Sequence, residues 1–322
     1  MGKFMKGCAL TALVLIGAGI IMAVVGGAAK GTTTIHEVVD KVTGGLVQVN
    51  LGEDNEWGVT IGEKLVGADF NTGIHYDIDE SSIFDMDFEI FSGDYQDTFA
   101  ADGIRRLDIE TGGCEFTVKE SADESFHVEA EETNKFQCYR KDETLHIKGT
   151  MKTAISNNVK PCKITLYVPK EAAFEKLLLE VGAGVVDLGT LRAEKIDLEV
   201  GAGQILADSL TGTDVMISVG VGECIVKDMQ AAKLDAEVNM GNLNVQGAVS
   251  EKIILECAMG NIEMQVDGAF SDYDYDVECG LGNVLIGDKS YSGASEASVN
   301  NGASRKMDVE CAVGNIEIAF ME

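Results

Sequence analysis

The sequence predicts an all-β protein, a single-domain parallel β-solenoid preceded by one transmembrane helix. Seven copies of one pattern lie between residues 177 and 318: an alternating apolar strand, a glycine turn and a second alternating strand. The first five turn glycines are 19 residues apart and the last two follow after 22 and 32, as if loops were inserted: Gly184, Gly203, Gly222, Gly241, Gly260, Gly282 and Gly314. A fixed period of this length is typical of a solenoid, and the handedness of parallel crossovers favours a right-handed coil.

The alternation within each copy predicts which side chains are buried. Because successive strand residues point to opposite faces, Val200, Val219 and Cys279 should face the core. In each of the seven copies, the residue just before the equivalent inward position should then face solvent. We call that set the glutamate column, and its members are Glu180, Glu199, Ser218, Glu237, Glu256, Glu278 and Glu310. Glycine is expected at the turns because a sharp corner often requires a positive φ.

The whole chain divides into three segments. Residues 1–30 read as a cytoplasmic tail and a transmembrane helix, and residues 31–102 as an acidic, partly ordered spacer. Residues 103–322 form the predicted solenoid domain, in which 103–170 supply irregular strands that cover the first coil and 171–322 supply the regular coils.

An uncharged run from Cys8 to Ala29 is long enough to span a bilayer, for which about 20 residues are needed. Lys3 and Lys6 precede it, so the N-terminus is expected inside and the bulk of the chain outside the cell membrane. A signal peptide cleaved near Gly27-Ala28-Ala29 is the alternative.

The formal charge of −29 excludes nucleic acid as a partner, because phosphate would be repelled. Three cysteines occupy the inward column where earlier copies have valine, and they are expected to be buried thiols: Cys257, Cys279 and Cys311. A disulfide or a soft-metal site are the alternatives, and a reducing agent is expected to leave the melting temperature unchanged.

The sequence offers no catalytic residue, cofactor site or assigned metal site. Glu237, Glu256, Glu278 and Glu310 could relieve their mutual repulsion by holding a cation, although a solvated polar face is the simpler interpretation. A second column follows the turn glycines and is predicted to be hydrogen-bonded: Asn242, Asn261, Asn283 and Asn315. The four histidines are expected on the surface, and the aromatic residues of the coil region only in inserted loops: Phe270, Tyr273, Tyr275 and Tyr291.

The segments DLEVGAGQI, AEVNMGNLNV and VECAVGNIEI, with the insertion SGASEASVNNGASRK, resemble a bacterial family of β-strand repeats described as "putative adhesin" and of unknown biochemical function. The resemblance covers residues 103–322 and implies a membrane-tethered extracytoplasmic domain with an adhesion or envelope role. The predicted function is therefore a non-catalytic binding or scaffolding module for an unidentified surface protein or glycan. A regulatory or sensory component that contacts a membrane partner is the second hypothesis, and a carbohydrate-active enzyme is the third.

Overall fold

The chain divides into two compact units, residues 1–83 and residues 84–322. A computed structural model describes the side chains of residues 84–151, Met86 excepted, and of residues 162–321; in the first unit it describes only the backbone of four strands. Those four strands form an antiparallel sheet in chain order, and they are β1 (Val47–Leu51), β2 (Glu56–Ile61), β3 (Lys64–Asp69) and β4 (Gly73–His75).

The described residues of the second unit form one sheet of nineteen strands and a short 3-10 helix at Phe270–Asp272. Its first strands are β5 (Phe91–Ala100), β6 (Arg106–Glu120), β7 (Ser125–Lys141), β8 (Thr144–Met151), β9 (Lys163–Val168), β10 (Phe174–Asp187), β11 (Thr190–Val200), β12 (Gln204–Ala207), β13 (Ser209–Thr211) and β14 (Asp214–Val219). The remaining strands are β15 (Glu223–Val238), β16 (Asn242–Cys257), β17 (Asn261–Asp267), β18 (Tyr273–Cys279), β19 (Asn283–Ile286), β20 (Lys289–Ser292), β21 (Ser295–Val299), β22 (Arg305–Cys311) and β23 (Asn315–Met321). The all-β class is confirmed.

Successive copies of the repeat pair in parallel, each residue with the residue 19 positions further along. Leu179 lies beside Leu198, Leu198 beside Ile217, and Ile217 beside Ala236. All four are fully buried, as are Val200, Val219 and Cys279. The register predicted for the inward side chains is therefore confirmed. On the outer face Glu199 is exposed as predicted, whereas Ser218 and Glu278 are half-buried by neighbouring strands.

The turn glycines are required for a different reason from the one the sequence suggested. Among the seven, only Gly184 has a positive φ, at 105°. At Gly222 a Cβ atom would lie within 3.0 Å of the carbonyl oxygen of Gly203 in the preceding coil, and Gly241 meets Gly222 in the same way. The corners of neighbouring coils thus approach too closely for any side chain at this position.

The coils do not stack in chain order throughout, as the successive coils of a simple solenoid would. Strand β22 lies between β16 and β18, pairing Cys311 with Cys257 on one side and with Cys279 on the other. Strand β23 likewise lies between β17 and β19. The last copy of the repeat is therefore inserted between the fifth and the sixth.

This insertion leaves the sixth copy at one end of the stack, where the inserted loop covers it. Strands β20 and β21 come from that loop and pair antiparallel with β19 and β18. Tyr273 and Tyr275 lie in β18 and are fully buried, so the prediction that they belong to loops is wrong. Phe270 stacks on Tyr275 with ring centroids 4.6 Å apart.

The opposite end repeats this arrangement with strands that the sequence analysis treated as irregular. Strand β6 pairs in parallel with β10, and β8 and β9 pair in parallel with β6, so they form two further coils. Antiparallel strand β7 covers these, and β5 covers β7. Residues 91–100 thus belong to the sheet of the second unit, whereas the predicted domain boundary stands at residue 103.

The cysteines differ between the two ends. Cys114 and Cys162 form a disulfide beside the β6 and β9 strands, with Cα atoms 4.7 Å apart. Cys257, Cys279 and Cys311 are all buried, as predicted, and none of them belongs to this disulfide. A hydrogen bond with Cys257, followed by burial, raises the pKa of the Cys311 thiol, and burial followed by the charge of Cys311 raises the pKa of Cys279. The expectation that a reducing agent has no effect is inconsistent with the bridge at the other end.

In the described part of the chain, no helix has the length and apolar character needed to cross a bilayer. The predicted span from Cys8 to Ala29 lies outside the described residues.

Candidate functional site

The glutamate column runs the length of the coil stack on its outer face. Strand register extends it beyond the predicted members to Lys148 and Glu110 at one end and to Glu296 at the other. In spatial order its residues are Lys148, Glu110, Glu180, Glu199, Ser218, Glu237, Glu256, Glu310, Glu278 and Glu296. Because neighbours in this column are one strand apart, about 4.8 Å, like charges face one another over most of its length.

At the end near β8 the column ends in a cation, Lys148. The Lys148 ammonium donates a hydrogen bond to the Glu110 carboxylate, and these side chains are only 11% and 19% exposed. In the adjacent column His146 Nδ1 lies 2.6 Å from Asp108 Oδ2. The Tyr139 ring stacks on His146, with centroids 4.7 Å apart, and shields this pair from solvent.

The sequence analysis missed these pairs, although a signal was present. When β6 and β8 are aligned on Leu107 and Leu145, the segment Asp108-Ile109-Glu110 meets His146-Ile147-Lys148. Both acids then face a residue that can carry a positive charge. His146, which was expected on the surface, is half-buried as a result, and His127 bonds to Thr98 Oγ1 and Asp123 Oδ1, each at 2.9 Å.

At the other end the carboxylates face each other without a cation in the column. Burial, followed by the charges of Glu310, Glu237 and Asp235, raises the pKa of Glu256 to about 7. Burial, and then the charges of Glu278 and Asp308, also raise the pKa of Glu310. The Oε2 atom of Glu310 is buried and finds no hydrogen-bond partner among the described residues. The pKa values of Glu256 and Glu310 are thus raised, and burial contributes more to the rise than repulsion does.

The nearest lysines lie in a separate column, toward the far edge of the same face. Lys252 bonds to Asp308, with Nζ and Oδ2 2.7 Å apart, and its charge opposes the rise in the pKa of Asp235. In sequence it is four residues from Glu256. Lys252 is therefore engaged by Asp308, and the glutamates at this end keep their repulsion.

The remaining predicted features of the surface can now be placed. Among the side chains the structure describes, no group of three potential ligands is arranged to hold a metal ion, and the cation hypothesis for the glutamate column stays a prediction. Three members of the asparagine column that are neighbours in space are joined by hydrogen bonds. Asn261 Nδ2 donates to Asn242 Oδ1, and Asn315 Nδ2 donates to Asn261 Oδ1, each at 3.0 Å. Asn283 instead accepts from Ser290.

A second surface follows the corner beside the asparagines. The residue directly before each turn glycine points outward, and at five consecutive positions in space it is a large apolar residue. We call these five the corner ridge, and in spatial order they are Val221, Met240, Met259, Val313 and Leu281. Leu281 is 82% exposed and Val221 55%. The sequence analysis did not single them out, although their place beside the glycines is visible in it.

Comparison with known proteins places this fold. The family model described as Toastrack DUF4097 matches residues 104–319. The chain belongs to the Toastrack family. No curated protein matches it. All residues of the two columns and of the corner ridge fall within the range that the Toastrack model matches.

Solved structures similar to this Toastrack chain come from several bacteria. A "putative adhesin" from Bacteroides fragilis is 15% identical, with 70% of this chain and 96% of that chain covered and a TM-score of 0.39. A "putative lipid binding protein" from Parabacteroides distasonis is 17% identical, with 70% and 98% covered and a TM-score of 0.40. A "putative cell adhesion protein" from Clostridium sporogenes is 13% identical, with 71% and 99% covered and a TM-score of 0.28.

Proposed function

We propose that this Toastrack chain is a membrane-anchored extracytoplasmic protein that acts as a non-catalytic, adhesin-like binding or scaffolding module. The observation that carries the proposal is the repetition of its outer surface. Several neighbouring coils present the same kinds of side chain at the same positions, so that glutamates, asparagines and apolar residues each form a row with a spacing of about 4.8 Å. A row of equivalent groups suits repeated contact with an extended partner.

Placement outside the cytoplasm has two supports. The run from Cys8 to Ala29 has the length and character of a membrane anchor, and Lys3 and Lys6 before it favour an inside N-terminus. The disulfide between Cys114 and Cys162 suits an oxidising compartment, because such bridges are rare where thiols are kept reduced.

The proposal is tested with the full-length chain carrying a C-terminal tag in bacterial cells. We expect the tag in the membrane fraction after a carbonate wash, and its removal when protease is added to intact cells. A soluble product that begins near Lys30 would contradict the anchor. A tag protected from external protease would contradict the extracytoplasmic placement.

The binding role is tested by cross-linking on intact cells, followed by purification through the tag. Capture of a surface protein or of wall glycan supports the module. A stable complex with an integral membrane protein of the same cell would favour the regulatory alternative. Turnover of a polysaccharide by the purified full-length chain would contradict the non-catalytic role.

A further inference from the structure

The corner ridge is a continuous apolar strip on a highly acidic protein. Its backbone is a ladder from coil to coil: the amide of Met240 donates to Gly220, that of Val313 to Ala258, and that of Leu281 to Ala312. The five side chains are therefore held one strand apart in a fixed row. Met240 and Val313 within this row are about two-fifths exposed. An ordered apolar row of this kind is uncommon on a surface that binds nothing.

The same corner is bordered by acids on both sides. Glu256, Glu310 and Glu278 precede the ridge residues by three positions on one face of the stack. On the adjoining face Glu263 and Glu317 follow by four positions and are exposed. The ridge is thus an apolar centre between two rows of carboxylates, of which the second contains only Glu263 and Glu317, and the first row has no cation of its own. Its charge complement is an apolar segment with basic flanks.

The spacing of the ridge selects the form of that segment. Five coils at about 4.8 Å give a row about 19 Å long. An α-helix advances about 5.4 Å per turn, so each turn offers one side chain to each coil. The difference between helix pitch and strand spacing adds up to only about 2.5 Å over the whole row. An extended peptide presents same-face side chains only every 6.6 to 6.8 Å or so and falls out of step sooner. A helix of about 13 residues covers the whole ridge.

We infer that the corner ridge is a docking surface for a basic amphipathic helix of another protein, whose apolar face lies on the ridge and whose lysines or arginines reach the two rows of glutamates. The inference rests on the proposed function as a binding module and names its class of partner. Apolar contact along the row supplies affinity, and the flanking carboxylates orient the helix and exclude acidic segments. The mode of recognition is that of a helix in a groove, with a β-sheet corner in place of the groove.

The test uses the purified full-length chain and a synthetic peptide of about 18 residues, composed of leucine and lysine with all leucines on one helix face and carrying a photoreactive group. Cross-links are mapped by mass spectrometry, so that only attachment at the ridge is counted. We expect saturable cross-linking at Met240, Met259, Val313 and Leu281, weakened by salt. A scrambled peptide of the same composition, and one with glutamate in place of lysine, should each bind at least about tenfold more weakly.

Variants sharpen the assignment. Leu281→Ser with Val313→Ser should lower the affinity about tenfold or more, because two apolar contacts are lost, while the melting temperature stays near that of the wild type. Ile90→Ser is the matched control, since Ile90 is 40% exposed but lies away from the ridge, and it should change nothing.

Three results would overturn the inference: equal cross-linking by the scrambled peptide, unchanged affinity in the double variant, or attachment outside the ridge. Association of the chain with itself in the absence of peptide, lost in Leu281→Ser with Val313→Ser, would assign the surface to self-association instead. Binding to zwitterionic lipid vesicles in preference to the peptide, lost in the same double variant, would assign it to a lipid surface. These results do not depend on where the protein resides in the cell, so they can fail separately from the proposed function.

Discussion

The two ends of the coil stack use the same strand register but stabilise it in different ways. Near β6 and β8, the outward column ends in the Lys148 and Glu110 ion pair, and the core carries the Cys114–Cys162 disulfide. Near β18 and β22, the column ends in glutamates that face glutamates, and the core carries free thiols. The first end is fixed by internal partners, whereas the second leaves negative charge without a partner. This difference predicts that substitutions at the first end cost more stability than substitutions at the second.

The largest expected effect comes from the disulfide. Replacing Cys114 and Cys162 by alanine should lower the free energy of unfolding by about 4 kcal/mol in the chain-entropy model, since the bridge closes a loop of 48 residues. The melting temperature, followed by circular dichroism, should fall by about 10 °C. Cys279→Val is the control, because valine fills the same column in earlier coils, and it should change stability little. Equal melting of all three proteins would show that the two ends do not differ in this respect.

The next effect concerns the buried ion pair. Lys148→Met should cost about 3 kcal/mol, because it leaves the Glu110 carboxylate buried without its cation. Lys227→Met is the control, since Lys227 and Asp208 form a pair whose side chains are 66% and 61% exposed, and it should cost less than about 1 kcal/mol. Urea unfolding at neutral pH measures both. Similar losses in the two variants would contradict the special role of the first end.

The opposite sign is expected at the other end of the column. The folded-state pKa of Glu256 is raised to about 7 from an unfolded value of about 4.5. The folded protein therefore binds more protons between these values, and stability falls as the pH rises from about 4.5 to 7. Glu256→Gln should remove this loss and stabilise the protein at pH 8 by about 1 kcal/mol, after allowance for solvent screening of a half-buried group. Glu199→Gln, at an exposed position of the same column, is the control and should change the stability at pH 8 little.

The smallest effect tests the cation hypothesis for Glu237, Glu256, Glu278 and Glu310. We expect millimolar calcium and sodium at equal ionic strength to change the melting temperature alike, as screening alone requires. A saturable shift specific to calcium, absent in the protein with Glu256→Gln and Glu278→Gln, would show that the column binds the ion.

Much of the coil region could be predicted because each inward position repeats at a fixed interval. Val200, Val219 and Cys279 are buried where the alternation placed them, and Asn242, Asn261 and Asn315 form the expected hydrogen-bonded row. The period specifies the register within a coil, since a slip of one residue would turn every apolar side chain outward.

The order of the coils could not be predicted in the same way. Cys257, Cys311 and Cys279 stand at equivalent positions in nearly identical strands, so β16 can pair with β22 as well as with β18. The choice depends on the loop before β22, whose strands β20 and β21 cover the final coil. The pairing of His146 with Asp108 was missed for a related reason, because β6 and β8 lack the regular glycine period.

The pKa of Glu256, measured by carbon-13 NMR titration of its carboxyl group, tests two statements together. These are the position of β22 between β16 and β18, and the absence of a cation in the column beside Glu256. Glu310 is the neighbour of Glu256 in space, although Glu278 belongs to the next copy in sequence. The account predicts a midpoint near 7 in the wild type, a clear fall in Glu310→Gln and a smaller one in Glu278→Gln. A midpoint near the ordinary value of about 4.5, or a larger fall in Glu278→Gln, would contradict it.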